Sequence, residues 1–231
     1  MMLLASTVWV ACRLMLTERV PVRRDHSAVA ALEQTIIDEY YHILMCHNAV
    51  GVTRRRRGLH ELDFDQHGWS VVRLLDEHRA GLTGLARDLT EIGFALAAET
   101  TINAYLSALS TAQDIQPMNR ITTDLHRRDE SGHAVIFREL ACPLYRSLGP
   151  ADQELFRNAL AAGLTAFRAP DFDPWVPVAR AGEFDIEAGQ LAELTAGKPA
   201  PARDIGPLQL LLRELGISED LIRPPVGQGR N

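Results

Sequence analysis

The sequence predicts an all-α protein built around a bundle of long helices, and three observations carry that expectation. Apolar residues recur at helical spacing in nearly every long segment, strand signals are few, and Pro and Gly mark the breaks between segments. A chain of 231 residues suffices for one domain with a substantial core and a modest appendage. We expect residues 1–180 to form the bundle, and residues 181–231 a C-terminal extension, partly helical with a disordered end.

Taken in order, residues 3–19 form a first helix, ended by Pro21 and the charged turn Arg23-Arg24-Asp25. Met1 to Leu16 is apolar, but it lacks a basic leading segment, is interrupted by Arg13 and is too short to span a bilayer, so it reads as a core helix. Its abrupt apolar beginning is also compatible with a start inside a longer helix. Ser27 caps a second helix that runs to about Asn48, where Gly51 stops it. Arg54 to Arg57 with Gly58 then make a basic loop beside a helix C-terminus, where cations suit the dipole. Residues 59–69 read as irregular. Ser70 to about Ser110 is one long helix, or two in line around Gly81 and Gly84. Gln116-Pro117 turns the chain into a fourth long helix ending near Ser147, which Pro143 should kink or end early. Gly149-Pro150 leads into a helix over Ala151 to Phe167, with Asp152 near its positive end. Asp171 to Trp175 reads as a loop, residues 195–206 are rich in Ala, Pro and Gly, and one more amphipathic helix lies within Ile205 to Leu215. The final stretch from Pro224 reads as disordered.

Composition removes several function classes. A formal net charge of −6 opposes phosphate binding, so no nucleic acid partner is expected, and no segment suggests a membrane. Cys12, Cys46 and Cys142 are odd in number and form no C-x-x-C pair, which suits a reduced, cytoplasmic compartment. No flavin or nicotinamide fingerprint occurs.

The chemistry concentrates in residues 124–137. There His126, Glu130 and His133 stand at i, i+4 and i+7, on one helix face. An unpaired carboxylate on a buried face needs a cation or a proton, and a metal ion supplies the first. The second helix offers Glu39 and His42 at i and i+3, and the third offers Glu99 inside the apolar run Ile92 to Ile102. Two Glu-x-x-His pairs with an apolar-embedded Glu between them are the donor pattern of a carboxylate-bridged two-metal centre in a helical bundle. Carboxylates bridge and neutralise two divalent ions, while imidazoles cap them and leave positions open for dioxygen. Three histidines, several glutamates and no thiolate favour two iron ions, with manganese less favoured. A zinc hydrolase is disfavoured, since His-Glu-x-x-His is absent.

His47, His60, His67 and His78 fall outside this pattern and read as surface residues or neighbours of the donors. Asp38, Asp124 and Asp129 adjoin the donors and could orient an imidazole. Adjacent residues on a helix point elsewhere, so solvent exposure is expected for Asp38 and Asp129. Asn103 and Ala95 lie one turn either side of Glu99 and face substrate or pack, while Trp69 and Trp175 read as core or lid packing. Cys46 reads as a small buried residue.

Glu39-x-x-His42, Glu99 and His126-x-x-x-Glu130-x-x-His133 resemble the AurF-type p-aminobenzoate N-oxygenases, over roughly residues 30–145. The resemblance implies a ferritin-like four-helix bundle core with extra C-terminal helices, carrying a di-iron centre. By position, Glu39, Glu99 and Glu130 would be its carboxylate ligands and His42, His126 and His133 its imidazole ligands. It further implies an oxygenase that uses dioxygen and an external electron donor to oxidise a small amine, often an arylamine, in natural-product and antibiotic biosynthesis, as a homodimer. Rival readings are a di-iron enzyme with another oxidation, such as C-hydroxylation or azoxy formation, and a family member that binds metal without catalysis. The pattern departs at the first helix, where the family has a Glu. An antiparallel partner of Glu39 would carry it near residues 4–10, which read Leu-Ala-Ser-Thr-Val-Trp-Val, and Glu18 lies too close to the turn.

Overall fold

Four helices form a ring. They are α1 (Met2–Met15), α2 (His26–Arg57), α4 (Gly84–Thr111) and α5 (Pro117–Ser147). In this computed structural model, which describes residues 2–59, 69–168, 171–195 and 206–222, α1 packs on α2 and α4, and α5 packs on the same two helices. Short connections join α1 to α2 and α4 to α5, so each pair runs antiparallel, while a long crossover carrying α3 (Ser70–Arg79) links α2 to α4. This is the connectivity of a ferritin-like bundle, and among the described residues there are nine α-helices and no strand. Outside the ring, α6 (Pro150–Arg168) packs along α4 and supports α3. The two short helices α7 (Val176–Ala181) and α8 (Ala188–Thr195) follow, and α9 (Gly206–Leu215) returns to α5 and α4.

Burial differs sharply between the ring helices. In α4 every residue from Asp88 to Thr100 is buried, so this helix has no wet face along that stretch. In α2 burial is confined to Ala28, Leu32, Thr35, Glu39, His42 and Cys46, alternating by four and three residues, the narrow seam of a bundle helix. In α5 the seam runs through Thr123, His126, Glu130, His133, Phe137, Leu140 and Leu144. The polar donors therefore occupy positions where a bundle would ordinarily place leucines. Compensating apolar burial comes from elsewhere: Val8, Ala11 and Met15 of α1, Leu96 of α4, Phe156 and Leu160 of α6 and Leu211 and Leu212 of α9 belong to one continuous core.

Several boundaries depart from the sequence expectation. Helix α2 starts at His26 and its N-cap is Asp25 rather than Ser27. The Asp25 carboxylate accepts from the Ala28 amide at 3.0 Å and from the Ser27 hydroxyl at 2.6 Å. Gly51 does not stop the helix, and Arg54 to Arg57 form its last turn instead of a loop. Termination falls to Gly58, at φ 64°, with the Leu59 amide donating to the Arg54 carbonyl at 3.0 Å. A left-handed residue can close a helix this way at no cost only if it is glycine, whereas a helical glycine such as Gly51 costs only about 1 kcal/mol. Around Gly81 (φ 74°) and Gly84 (φ 58°) the chain breaks into two helices. Helix α5 passes through Pro143 to Ser147. Burial of Leu140, Ala141, Leu144 and Tyr145 on either side of the proline outweighs the lost amide. Asp173–Trp175 forms a 3-10 turn leading into α7, and α7 and α8 were not anticipated. The irregular stretch expected at 59–69, the Ala/Pro/Gly-rich stretch at 195–206 and the expected disordered end lie largely outside the described residues.

The α4–α6 crossing is set by two glycines facing opposite ways. A Cβ on Gly93 would meet Ala159 Cβ at 2.9 Å, and one on Gly163 would meet Ala97 Cβ at 2.8 Å and Phe94 Cα at 3.2 Å. Gly163→Ala improves helix propensity by about 1 kcal/mol but forces backbones apart, and overpacking of ~1–3 kcal/mol should win. Gly132→Ala, on α5 with nothing within 4 Å of its Cβ, should instead stabilise by ~0.5–1 kcal/mol. Urea unfolding followed by far-ultraviolet circular dichroism distinguishes the signs; equal signs would mean the crossing is not rigid.

Candidate metal centre

The seams of α2 and α5 meet Glu99 of α4 at the middle of the ring. All six sequence-predicted donors, Glu39, His42, Glu99, His126, Glu130 and His133, are buried there. They form two groups whose nitrogen and oxygen atoms lie within 4.8 Å of one another: Glu39, Glu99, Glu130 and His133, and His42, His126 and Glu130. Glu130 belongs to both. Its Oε1 lies 2.6 Å from His126 Nε2 and 3.4 Å from His42 Nδ1, and its Oε2 lies 3.5 Å from His133 Nδ1. Glu39 Oε1 also spans the centre, 3.5 Å from His42 Nδ1 and 3.2 Å from His133 Nδ1.

Other buried acids on α4 show what a purely structural arrangement looks like here. Asp88 is paired with Arg19 at 2.9 Å and Glu91 with Arg79 at 2.6 Å. Among the described residues Glu39, Glu99 and Glu130 have no Lys or Arg partner. Each of the six residues presents a buried atom without a hydrogen bond, Glu39 Oε1, His42 Nδ1, Glu99 Oε2, His126 Nδ1, Glu130 Oε2 and His133 Nδ1; Asp88 Oδ2 lacks one too, but it lies 2.9 Å from the Arg19 guanidinium. Five of these atoms, on Glu39, His42, Glu99, Glu130 and His133, lie around one volume, and His126 meets it through Nε2, 2.6 Å from Glu130 Oε1. Such a set fits a bound cation, because orphaned polar groups are otherwise costly to bury.

The protonation pattern agrees. Burial, and then the Glu130 charge, push the Glu99 carboxyl well above the usual range. Burial also opposes ionisation of Glu39 and Glu130, but the imidazoles beside them outweigh it and hold both below the usual range. For His133 burial works against the charged form, yet Glu130 and Glu39 raise it to about 11. His42 is raised too, by Glu39 and Asp129 against the effect of burial.

Two residues expected to face solvent turn inward across the helix boundary. Asp129 Oδ2 of α5 lies 3.0 Å from His42 Nε2 of α2, and Asp38 Oδ2 of α2 lies 3.3 Å from His133 Nε2 of α5. Their side chains are 39% and 24% exposed, so each reaches from the rim to the outer nitrogen of a buried ring. A carboxylate on Nε2 holds the proton there and turns Nδ1 toward the centre. The exchange is reciprocal, because both helices carry the same Asp-Glu-x-x-His sequence, and that repeat was the available signal. Asp124 binds Arg127 and Arg128 instead. His47 and His78 are exposed, and His60 and His67 lie outside the described residues. Ala95 packs in the core, and Asn103 donates to the Ser131 hydroxyl at 2.7 Å. Trp69 and Trp175 stack edge to face at 6.0 Å, with Trp175 47% exposed. Cys12, Cys46 and Cys142 are buried free thiols.

A family model described as P-aminobenzoate N-oxygenase AurF matches residues 2–216. The chain belongs to this family. A 4-aminobenzoate N-oxygenase of Streptomyces thioluteus is 28% identical over 192 residues, covering 82% of this chain and 57% of the relative. The AurF-family match extends through α9, whose Leu208, Leu211 and Leu212 complete the core behind the site. No described helix is long and apolar enough to cross a membrane.

Two outcomes are expected of this AurF-family centre. A divalent cation entering this cluster would have to displace the proton that His133 holds at neutral pH. The folded pKa is raised, so the proton-dependent pairing with Glu130 and Glu39 is complete below about 6.5 and is lost as pH rises through about 11. Co2+ affinity should therefore climb by at least about tenfold per pH unit between pH 6 and 8, with proton release seen calorimetrically in buffers of different ionisation enthalpy. A flat profile would mean that His133 is neutral in the apoprotein. Asp38→Asn and Asp129→Asn should each weaken Co2+ binding by ~10–100-fold while leaving the fold intact, as read by optical titration.

Proposed function

We propose that this chain is an arylamine N-oxygenase whose six buried donors hold two iron ions, with a 4-aminobenzoate-like amine as substrate and dioxygen as oxidant. The observation that carries the reading is the buried cluster of Glu39, His42, Glu99, His126, Glu130 and His133, five of them with an orphaned atom at the shared volume, in a chain of the AurF family. The name of the Streptomyces thioluteus relative supports the substrate class. Bound iron would supply the redox equivalents and open positions that dioxygen needs.

The protein's own contribution follows from the geometry. Glu39 and Glu130 each lie within 3.5 Å of an imidazole in both halves of the cluster, so either would be able to contribute to holding both cations. Asp38 and Asp129 fix the outer nitrogens of His133 and His42 and keep Nδ1 directed inward. The buried run of α4 excludes water from one side. Conversion of an amine to a hydroxylamine inserts one oxygen atom and releases the other as water, which takes two electrons and two protons from an external reductant.

One observation favours a second reading, a metal-binding family member without catalysis: α1, over Met2–Met15, contains no Asp or Glu. Incubation of the iron-loaded chain with a reductant, 4-aminobenzoate and isotopically labelled dioxygen separates the two. Labelled hydroxylamine or nitro product is expected, with Glu99→Gln and His126→Ala lowering turnover by ~100-fold or more. Stoichiometric iron without any labelled product would favour the second reading.

A further inference from the structure

The two halves of the centre are chemically unequal. One gathers three carboxylates and a single imidazole, Glu39, Glu99, Glu130 and His133. The other gathers two imidazoles, His42 and His126, whose rings lie 3.8 Å apart, and shares Glu130. Resting on the reading of this cluster as a metal centre, we infer that the halves fill in order: the carboxylate half takes the first divalent cation, and the imidazole half takes a second more weakly.

Charge decides the order. In the first half the carboxylates crowd one another without a Lys or Arg partner among the described residues. Glu39 Oε1 and Glu99 Oε2 stand 3.2 and 3.7 Å from the same His133 nitrogen, and Glu130 Oε2 stands 3.5 Å from it. A dication there cancels like-charge repulsion and gains attraction to three anions in a buried setting, where such attraction is screened least. In the second half the unshared donors are imidazoles, which are neutral when they bind and bring no charge. The carboxylates within reach, Glu130 and Glu39, also face the first half, so the first ion has already drawn on them. Helix α1, the ring member that could add a charge of its own, has neither Asp nor Glu between Met2 and Met15. The second ion therefore arrives beside an existing dication with less anionic compensation than the first.

The test is titration of the full apoprotein with Mn2+, following free ion by its electron paramagnetic resonance signal. One equivalent should bind first, and a second at least ~10-fold more weakly. Glu99→Gln should weaken the tight step ~10-fold or more, while His126→Ala should weaken the second step more than the first. Two equal or cooperative steps in the unsubstituted chain would overturn the inference, as would a larger effect of His126→Ala on the tight step than on the weak one in protein with native circular dichroism. The unsubstituted isotherm decides the order even if a variant fails to fold. Failure of the chain to bind Mn2+, Fe2+ or Co2+ at all would instead overturn the metal-centre reading on which the inference rests.

Discussion

Three carboxylates and three imidazoles sit in the interior of a bundle whose other buried acids are neutralised by arginine. Desolvation of an unpaired carboxylate costs several kcal/mol even after relaxation, and no Lys or Arg among the described residues offsets it for Glu39, Glu99 or Glu130. The apoprotein can hold this arrangement only by sharing protons, which is why Glu99 favours its neutral form and His133 its charged one. A divalent cation satisfies the same electrostatic demand and also occupies the orphaned lone pairs. The rest of the fold can be understood as the apparatus that keeps these groups buried despite their preference for water.

That apparatus is asymmetric. Helices α2 and α5 each contribute a narrow seam, and donors replace leucine at its centre, so the α2–α5 contact gains little from apolar burial near the site. Helix α4 compensates, enclosed by α1, α5, α6 and α9 and buried all round from Asp88 to Thr100. The close α4–α6 approach at Gly93 and Gly163 fixes the position of Glu99 relative to the other five donors. Strength in the hydrophobic layer thus tolerates weakness in the polar one.

That these six residues are buried together was legible in the chain, because helical spacing converts directly into facing: His126, Glu130 and His133 at i, i+4 and i+7 cannot avoid sharing a side. Glu99 was legible for the opposite reason, as one charge inside an apolar run. The Asp38 and Asp129 pairings were missed because facing was judged on each helix alone. A residue flanking the seam points away from its own helix's buried line, yet at a two-helix contact it points at the neighbouring helix. Helix ends depended on backbone dihedrals that composition does not encode: Gly51 and Gly58 are the same residue type, but the second adopts positive φ and ends α2. Pro143 did not end α5 early, because the apolar packing around it is non-local.

The burial of α4 gives the centre a front and a back. Behind Glu99 lies continuous hydrocarbon; in front, Asp38 and Asp129 reach bulk water, beside Ile37, Tyr40, Tyr41 and Leu44 exposed on α2. A proton or ion exchanging with the cluster would meet continuous hydrocarbon on the α4 side, whereas on the α2–α5 side the two aspartates stand at the rim like door jambs. Among the described residues the cluster thus has a dry back and a wet front.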